Sequence, residues 1–255
     1  MSNSDMTRRE FNAAAAAGAV TLSAAGSAVA QETERFDLVL RGGRVMDPET
    51  GFDQIANVGI KDGRIGAITT APLEGGRQID ASGHVVAPGF IDTHFHWPRP
   101  MGNKLALLDG RTTVMDLEIG TLGSLVDDWY AARAGANQIN YGCATAHELA
   151  RALVLDGITT EDAPEMLNHR GTDKTGWSLA RPDLKQGNEI LRLLDAGLAA
   201  GAVGIGSTLG YMRDGASARE VFEIQRVAGR YGRACGFHFR YTPGTDTSET
   251  NGIQE

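Results

Sequence analysis

The sequence contains little cysteine: Cys143 and Cys235 are the two in its 255 residues. Two cysteines are too few for a disulfide framework or for a CxxC metal site. Both fall in strand-like apolar runs, so we expect two buried free thiols that behave as small apolar side chains.

Positive charge and long apolar runs are also scarce. The 24 Lys and Arg against 32 Asp and Glu give a net charge of −8, which disfavours a nucleic-acid-binding protein. No run of 18 apolar residues occurs, so we expect no membrane span once the N-terminal segment is removed. A composition of 42% hydrophobic and 22% charged residues is ordinary for a globular protein of one large or two smaller domains.

The first thirty residues have the pattern of an export signal. Thr7-Arg8-Arg9-Glu10-Phe11 is a twin-arginine pattern, an alanine-rich apolar run follows, and Ala28-Val29-Ala30 is a small-residue cleavage site. Twin-arginine signals are bacterial targeting sequences, so residues 1–30 predict export to the periplasm. The alternative is an alanine-rich disordered leader.

Residues 31–87 are predicted to form a small antiparallel sheet, the N-terminal part of a β-sandwich. Short apolar runs alternate with glycine turns at close spacing, which is typical of such sheets. Lys61-Asp62-Gly63 between two of these runs has the composition of a hairpin turn.

From residue 88 the pattern changes to strands alternating with helices, which indicates a parallel α/β sheet. The expected strands are 85–91, 112–118, 139–146, 202–206 and 234–239, and the expected helices are 123–135, 184–200 and 217–231. In the last helix we expect Ser217 as the N-cap, with Glu220 completing a capping box. We find no internal repeat at a fixed period.

His94 and His96 follow the first of these strands. A strand directs residues i and i+2 to the same side, so the two imidazoles point the same way and form a standard grip for a divalent metal. The C-terminal ends of barrel strands carry the chemistry of such folds. Two histidines on an exposed strand edge are the alternative interpretation.

Two further strand ends carry ligand-type side chains. Glu118 lies at the end of the second strand and His238 at the end of the fifth, so both are candidate metal ligands together with His94 and His96. Glu118 could bridge two metals, or it could form an ordinary salt bridge. Asp116, on the same face as Glu118, is a candidate to orient a ligand histidine.

Four residues near the same end of the sheet are candidates for substrate binding. His147 ends the third strand, where it could line the pocket or cap the following helix. Tyr211 and Arg213 follow the fourth strand and Arg240 follows His238, and these could bind a polar or anionic group or be structural loop residues.

Four stretches of the sequence resemble the amidohydrolase superfamily: Phe36–Val45, Val86-Ala87-Pro88-Gly89-Phe90-Ile91-Asp92-Thr93-His94-Phe95-His96, Gly201–Tyr211 and Phe237-His238-Phe239-Arg240. Within that superfamily the chain is similar to the D-aminoacylases (N-acyl-D-amino-acid deacylases), and more narrowly to the N-acyl-D-glutamate deacylase type. The resemblance extends over residues 36–255.

The resemblance implies a distorted (β/α)8 barrel beside a small β-sandwich, with one or two zinc ions at the barrel mouth. His94 and His96 match the ligands of barrel strand 1, and His238 matches that of strand 5. Where the family has a cysteine ligand on strand 2, this sequence has Glu118. The implied reaction is hydrolysis of the amide bond of an N-acyl-D-amino acid, a small-molecule substrate, by a metal-activated water.

The family pattern continues with a strand-6 histidine ligand and a strand-8 aspartate that acts as general base. Neither has a counterpart before Glu255, so we expect a partial barrel of about five strands that lacks a catalytic base of its own. Two alternatives remain. One is a hydantoinase-like cyclic amidase, disfavoured because the fourth strand has no bridging lysine; the other is a non-catalytic product that binds metal weakly at most.

Overall fold

The computed structural model describes residues 35–96, 99–163, 166 and 175–240. The predicted signal peptide, residues 1–30, lies outside this part of the chain. The protein divides into two compact units, Met1–Ala87 and Pro88–Glu255, and each is described by itself. Among the described residues, no helix combines the length and apolar character needed to cross a membrane.

The first unit is built on one sheet. Its strands are β1 (Arg35–Asp47), β2 (Phe52–Lys61), β3 (Arg64–Thr69), β4 (Glu74–Asp80) and β5 (Val85–Val86). The strand order is β3-β2-β1-β4, and β5 pairs with the distal part of β1. Buried apolar side chains on β1 and β2 form the core of this sheet: Phe36, Val39, Val45, Ala56 and Val58.

The predicted hairpin is present, and the predicted antiparallel pairing is confirmed for β1, β2 and β3 but not for the last two strands. β2 and β3 pair antiparallel with Lys61 opposite Arg64, and Asp62 and Gly63 both have positive φ (50° and 71°), as a type I′ turn requires. The β4 and β5 strands instead pair parallel to β1. Val85–Val86 therefore belong to this sheet and are not the start of the first barrel strand.

The second unit alternates strands and helices. Its described elements are β6 (Phe90–Asp92), α1 (Pro100–Leu108), β7 (Arg111–Thr121), α2 (Val126–Ala131), β8 (Asn140–Ala146), α3 (His147–Leu155), α4 (Gly176–Leu179), α5 (Leu184–Ala199), β9 (Gly204–Ser207), α6 (Ala218–Arg230) and β10 (Ala234–Phe237). A 3₁₀ turn at Gly123–Leu125 precedes α2.

The strands of this unit form one five-stranded sheet in the order β10-β9-β8-β7-β6, with every pairing parallel. This is the partial parallel α/β barrel that the sequence predicts. The C-terminal ends of the strands therefore lie along one edge, and residues that follow them are brought together there.

The helices bury the apolar positions that their spacing predicts. Ile190, Leu194 and Leu198 of α5 pack with Ile224 of α6 and Ile205 of β9 in one cluster. This cluster fixes the two helices against β9. Cys235 and Phe237 of β10, the strand that precedes His238, pack against the same cluster.

Three local predictions need correction. Helix α1 (Pro100–Leu108) was not predicted; it begins with a proline, a residue that is favoured at the first helical position. The helix expected over 123–135 is shortened to the 3₁₀ turn and α2. The last strand ends at Phe237, so His238 and Arg240 lie in the segment that follows.

Candidate metal centre

Beyond the end of β6, an isolated antiparallel bridge between His94 and Asp116 places the first two candidate ligands. The Phe95 amide donates to the Met115 carbonyl (3.0 Å), and the Leu117 amide donates to that of Thr93 (3.2 Å). These bonds fix the backbone of residues 93–95 against β7. The imidazoles of His94 and His96 both reach Glu118.

Three side chains converge on one point at this edge. The Nε2 atom of His94 lies 2.9 Å from Nε2 of His96. The Glu118 Oε2 atom lies 2.7 Å from the first nitrogen and 2.8 Å from the second. Two imidazole nitrogens and one carboxylate oxygen thus surround a single volume, which is the donor set of a divalent-metal site.

Asp116 holds one of these imidazoles in a defined orientation. Its Oδ1 atom lies 3.1 Å from His96 Nδ1 and accepts the Ile119 amide at 3.0 Å. With the proton on Nδ1, the Nε2 lone pair faces the cluster, as in the carboxylate–histidine pairs that support zinc. Hydrogen bonds with Asp116 and Glu118 raise the pKa of His96 to about 9, so protons compete with a metal for this nitrogen.

The second oxygen of Glu118 faces the third candidate imidazole. Its Oε1 atom lies 2.5 Å from Nδ1 of His238, so the carboxylate stands between the His94–His96 pair and His238. The side chain of Glu118 is 8% exposed. Hydrogen bonds from His96 and then from His238 outweigh the effect of burial and lower the pKa of Glu118 to about 2.

The donor set fits zinc. Donors at 2.0–2.1 Å from a tetrahedral zinc lie roughly 3.3 Å from one another, so the three atoms need to separate by about half an ångström to hold one. The imidazoles of His94 and His238 are well exposed, which leaves room for that adjustment and for a further ligand.

Tyr211, Arg213 and Arg240 lie beside His238. The ring of Tyr211 is 5.2 Å from the His238 ring, centroid to centroid. Arg213 donates to the Arg240 carbonyl and Arg240 donates to the Arg213 carbonyl, each at 2.8 Å. The two arginines therefore cross-link the loop after β9 to the segment after β10, next to the candidate ligand.

His147 does not line this site. The structure buries it completely, with Nδ1 2.8 Å from Ser207 Oγ and Nε2 2.9 Å from Glu220 Oε1. Arg151, also 0% exposed, donates to both oxygens of Glu220. Both ring nitrogens of His147 are engaged, so the predicted pocket-lining position is an enclosed structural position instead.

This buried group was missed because its members are far apart in sequence. Glu220 was interpreted as a capping-box residue of α6. Its amide does donate to Ser217 Oγ (3.2 Å), but its side chain turns inward to Arg151 and His147. The sequence did contain an indication of a buried charge, because Arg151 lies within an apolar run with Leu149, Ala150 and Ala152. The structure buries all four residues.

The chain has clear relatives among known proteins. It is 32% identical to the N-acyl-D-glutamate deacylase of Alcaligenes xylosoxydans xylosoxydans over 225 residues, 81% of this chain and 44% of that protein. Over a shorter stretch of 132 residues it is 33% identical to the dihydroorotase of Streptococcus pneumoniae, 51% of this chain and 28% of the relative. No protein-family model matches the chain.

A solved structure agrees with the first of these relatives. The N-acyl-D-glutamate deacylase of Bordetella bronchiseptica, complexed with zinc and a phosphonate inhibitor, superposes with a TM-score of 0.63 at 28% identity, over 81% of this chain and 46% of that one. The chain spans less than half the length of each of the three proteins compared. These similarities, with the histidines and glutamate gathered at one edge of a parallel sheet, place the chain in the D-aminoacylase-like family of amidohydrolases.

Proposed function

We propose that the protein hydrolyses the amide bond of N-acyl-D-amino acids, with N-acyl-D-glutamate as the first candidate substrate, at a zinc centre of one or two ions. The observation that carries the proposal is the convergence of His94, His96 and Glu118 on one point. Because the chain spans under half the length of its relatives, the activity is proposed for the complete protein and metal binding for these residues.

His94, His96 and Glu118 would hold the first ion, and Glu118 with His238 would hold a second. When bound, zinc supplies Lewis acidity that polarises the amide carbonyl and lowers the pKa of water toward about 7. Asp116 keeps the His96 lone pair directed into the site. Hydrogen bonds from its imidazole partners outweigh the effect of burial and hold Glu118 ionised, so that it is available as an anionic ligand over the neutral range.

We propose that Arg213 and Arg240 recognise a carboxylate of the substrate. Their reciprocal hydrogen bonds fix both backbones next to His238, and guanidinium groups bind carboxylates with charge-assisted hydrogen bonds. Tyr211 would pack beside the same group. Replacing Arg213 with Met should raise KM for N-acetyl-D-glutamate more than it lowers kcat, and a fall in kcat alone would contradict this role.

Substrate profiling of the complete, zinc-loaded protein tests the reaction. N-acetyl-D-glutamate should release D-glutamate, while N-acetyl-L-glutamate serves as the stereochemical control. The Glu118→Gln variant should lose this release. Absence of D-amino acid release from a protein with a full complement of zinc would contradict deacylation.

A cyclic amidase is the second candidate, and the match to a dihydroorotase is the observation that favours it. Strand β9 (Gly204–Ser207) carries no lysine to bridge two metals, which is the reason that we rank it lower. Dihydroorotate and a hydantoin belong in the same assay. Their hydrolysis without deacylation would replace our proposal with this one.

We also propose periplasmic location through residues 1–30. The support is the twin-arginine pattern at Arg8 and Arg9. Fusion of this segment to a folded reporter should direct the reporter to the periplasm in a bacterium with the twin-arginine pathway. Replacement of both arginines by lysine should retain it in the cytoplasm, and unchanged export would contradict the proposal.

A further inference from the structure

The pairing of strand β7 with β8 is interrupted at the position of Glu118. Asp116 pairs with Cys143 and Thr121 pairs with Thr145, so five steps along β7 correspond to two steps along β8. The surplus residues form a wide bulge over 117–120. Gly120, with φ of +79°, provides the left-handed conformation that returns the chain to the sheet.

The bulge lies against strands that are not neighbours of β7 in the sheet. A Cβ atom built on Gly206 of β9 would lie 2.5 Å from the carbonyl oxygen of Glu118 and 2.6 Å from that of Ile119. One built on Gly236 of β10 would overlap the carbonyl group of Leu117. The backbone of residues 117–119 therefore rests directly on two glycines.

This arrangement replaces the usual filling of a barrel. The interior of a parallel barrel is normally packed with layers of bulky branched side chains from alternate strands. Here backbone from β7 occupies that volume over β9 and β10, and it can do so because neither glycine carries a side chain. The obstacle that a methyl group would meet is backbone, which cannot rotate away as a flexible side chain can.

The position of the metal-binding carboxylate depends on this contact. Glu118 reaches the His94–His96 pair with one oxygen and His238 with the other. His238 itself is tied to β9, because its amide donates to the Ser207 carbonyl at 3.0 Å. A displacement of the bulge away from β9 and β10 would move Glu118 relative to these imidazoles.

We propose that Gly206 and Gly236 are positioning residues of the metal centre, which seat the backbone of 117–119 on β9 and β10 and so hold Glu118 between the two groups of histidines. The inference rests on the metal centre of the proposed function. It adds that two glycines without any contact to the metal determine its affinity and coordination.

Gly206→Ala and Gly236→Ala in the 255-residue chain test this inference, with Gly142→Ala as the matched control. Gly142 is a buried strand glycine like Gly206, but a Cβ atom there would meet side-chain atoms of Val203 (2.9 Å) and Met115 (3.5 Å) instead of backbone. The readouts are the visible absorption spectrum on titration with Co²⁺ and the zinc affinity from competition with a chelator. Thermal unfolding of the metal-free proteins reports any general loss of stability.

We expect the two test variants to bind zinc at least about tenfold more weakly than the parent, the lower end of effects from residues that support metal ligands. Their cobalt spectra should also differ from the parent spectrum. Gly142→Ala should keep the parent affinity and spectrum even where its thermal stability falls. Parental affinity and spectrum in folded Gly206→Ala and Gly236→Ala proteins would overturn the inference.

A measurement on the unaltered chain covers the case in which the alanine variants do not fold. Bound Co²⁺ broadens nuclear magnetic resonance signals of nearby nuclei, so the amides of Gly206 and Gly236 should broaden far more than that of Gly142. Equal broadening of all three would overturn the inference. A parent chain that binds neither Co²⁺ nor zinc would instead contradict the metal centre itself.

Discussion

Two histidine–carboxylate clusters at the same end of one sheet differ in how their charge is balanced. In the enclosed cluster, Arg151 donates to both oxygens of Glu220, and His147 is 0% exposed. In the open cluster, Glu118 is met by His94, His96 and His238. The first cluster contains a guanidinium beside its carboxylate, whereas imidazoles surround the carboxylate of the second.

This difference separates a structural cluster from a functional one. The guanidinium of Arg151 supplies the charge opposite Glu220, and both ring nitrogens of His147 are engaged, so the enclosed cluster is complete and has no role for an added ion. An imidazole that loses its proton becomes a metal ligand, so a divalent cation can take the place of protons beside Glu118. Histidine and carboxylate side chains at a strand end therefore indicate a metal site when no arginine supplies the opposing charge.

Removal of the buried cation should have the largest effect. Arg151→Met leaves Glu220 buried without its partner, and breaking a buried ion pair costs about 3–5 kcal/mol. We expect the free energy of unfolding of the second unit to fall by this amount at pH 7. Urea unfolding monitored by circular dichroism measures it.

The matched control is Arg192→Met on α5, which breaks an exposed pair with Glu189. Exposed pairs contribute about 0–1 kcal/mol, so this variant should remain close to the parent. Equal losses in the two variants would remove the distinction between enclosed and open charge pairs.

Acid should destabilise the enclosed cluster next. Burial would raise the pKa of Glu220, but His147 and Arg151 hold it at about 2, below its ordinary 4.5. Burial lowers the pKa of His147. Both groups have a lower pKa in the folded protein than in the unfolded chain. The free energy of unfolding is therefore greatest above the unfolded-state pKa values and decreases as the pH is lowered. The decrease begins below about pH 6.5 for His147 and continues from about pH 4.5 to 2 for Glu220.

The Glu220 step corresponds to roughly 3 kcal/mol. Free energies of unfolding measured from pH 7 to pH 3 check the sign, and His147→Gln should flatten the profile between pH 7 and 5. A protein that becomes more stable as the pH falls through this range would contradict the assignment of a neutral His147 beside an ionised Glu220.

Substitution of Asp116, the residue that orients His96, should have a smaller effect, and this effect is on zinc affinity. Asp116→Ala should weaken zinc binding by about 10–100-fold, because the hydrogen bond to His96 Nδ1 is lost. Asp116→Asn should recover most of the affinity, since the amide oxygen can accept from His96 and from the Ile119 amide. Calorimetric zinc titration checks both, and equal weakening in the two variants would show that the charge of Asp116, instead of its hydrogen bond, matters.

Local patterns in the sequence predicted the parallel sheet and the convergence at its edge. The i, i+2 spacing of His94 and His96 and the strand-end positions of Glu118 and His238 required only the regular geometry of strands. The β7 bulge and the pairing of Arg151 with Glu220, 69 positions away, depend on long-range packing. Long-range packing also encloses His147, which is why its strand-end position alone suggested that it could line the pocket.

Zinc content tests the central claim most directly. The purified 255-residue chain, dialysed after exposure to zinc, should retain close to one or two ions per chain by elemental analysis, and Glu118→Gln should lose most of this metal while remaining folded. A parent chain without near-stoichiometric metal, or a Glu118→Gln chain with the full parental content, would contradict the proposal that His94, His96 and Glu118 form a metal centre.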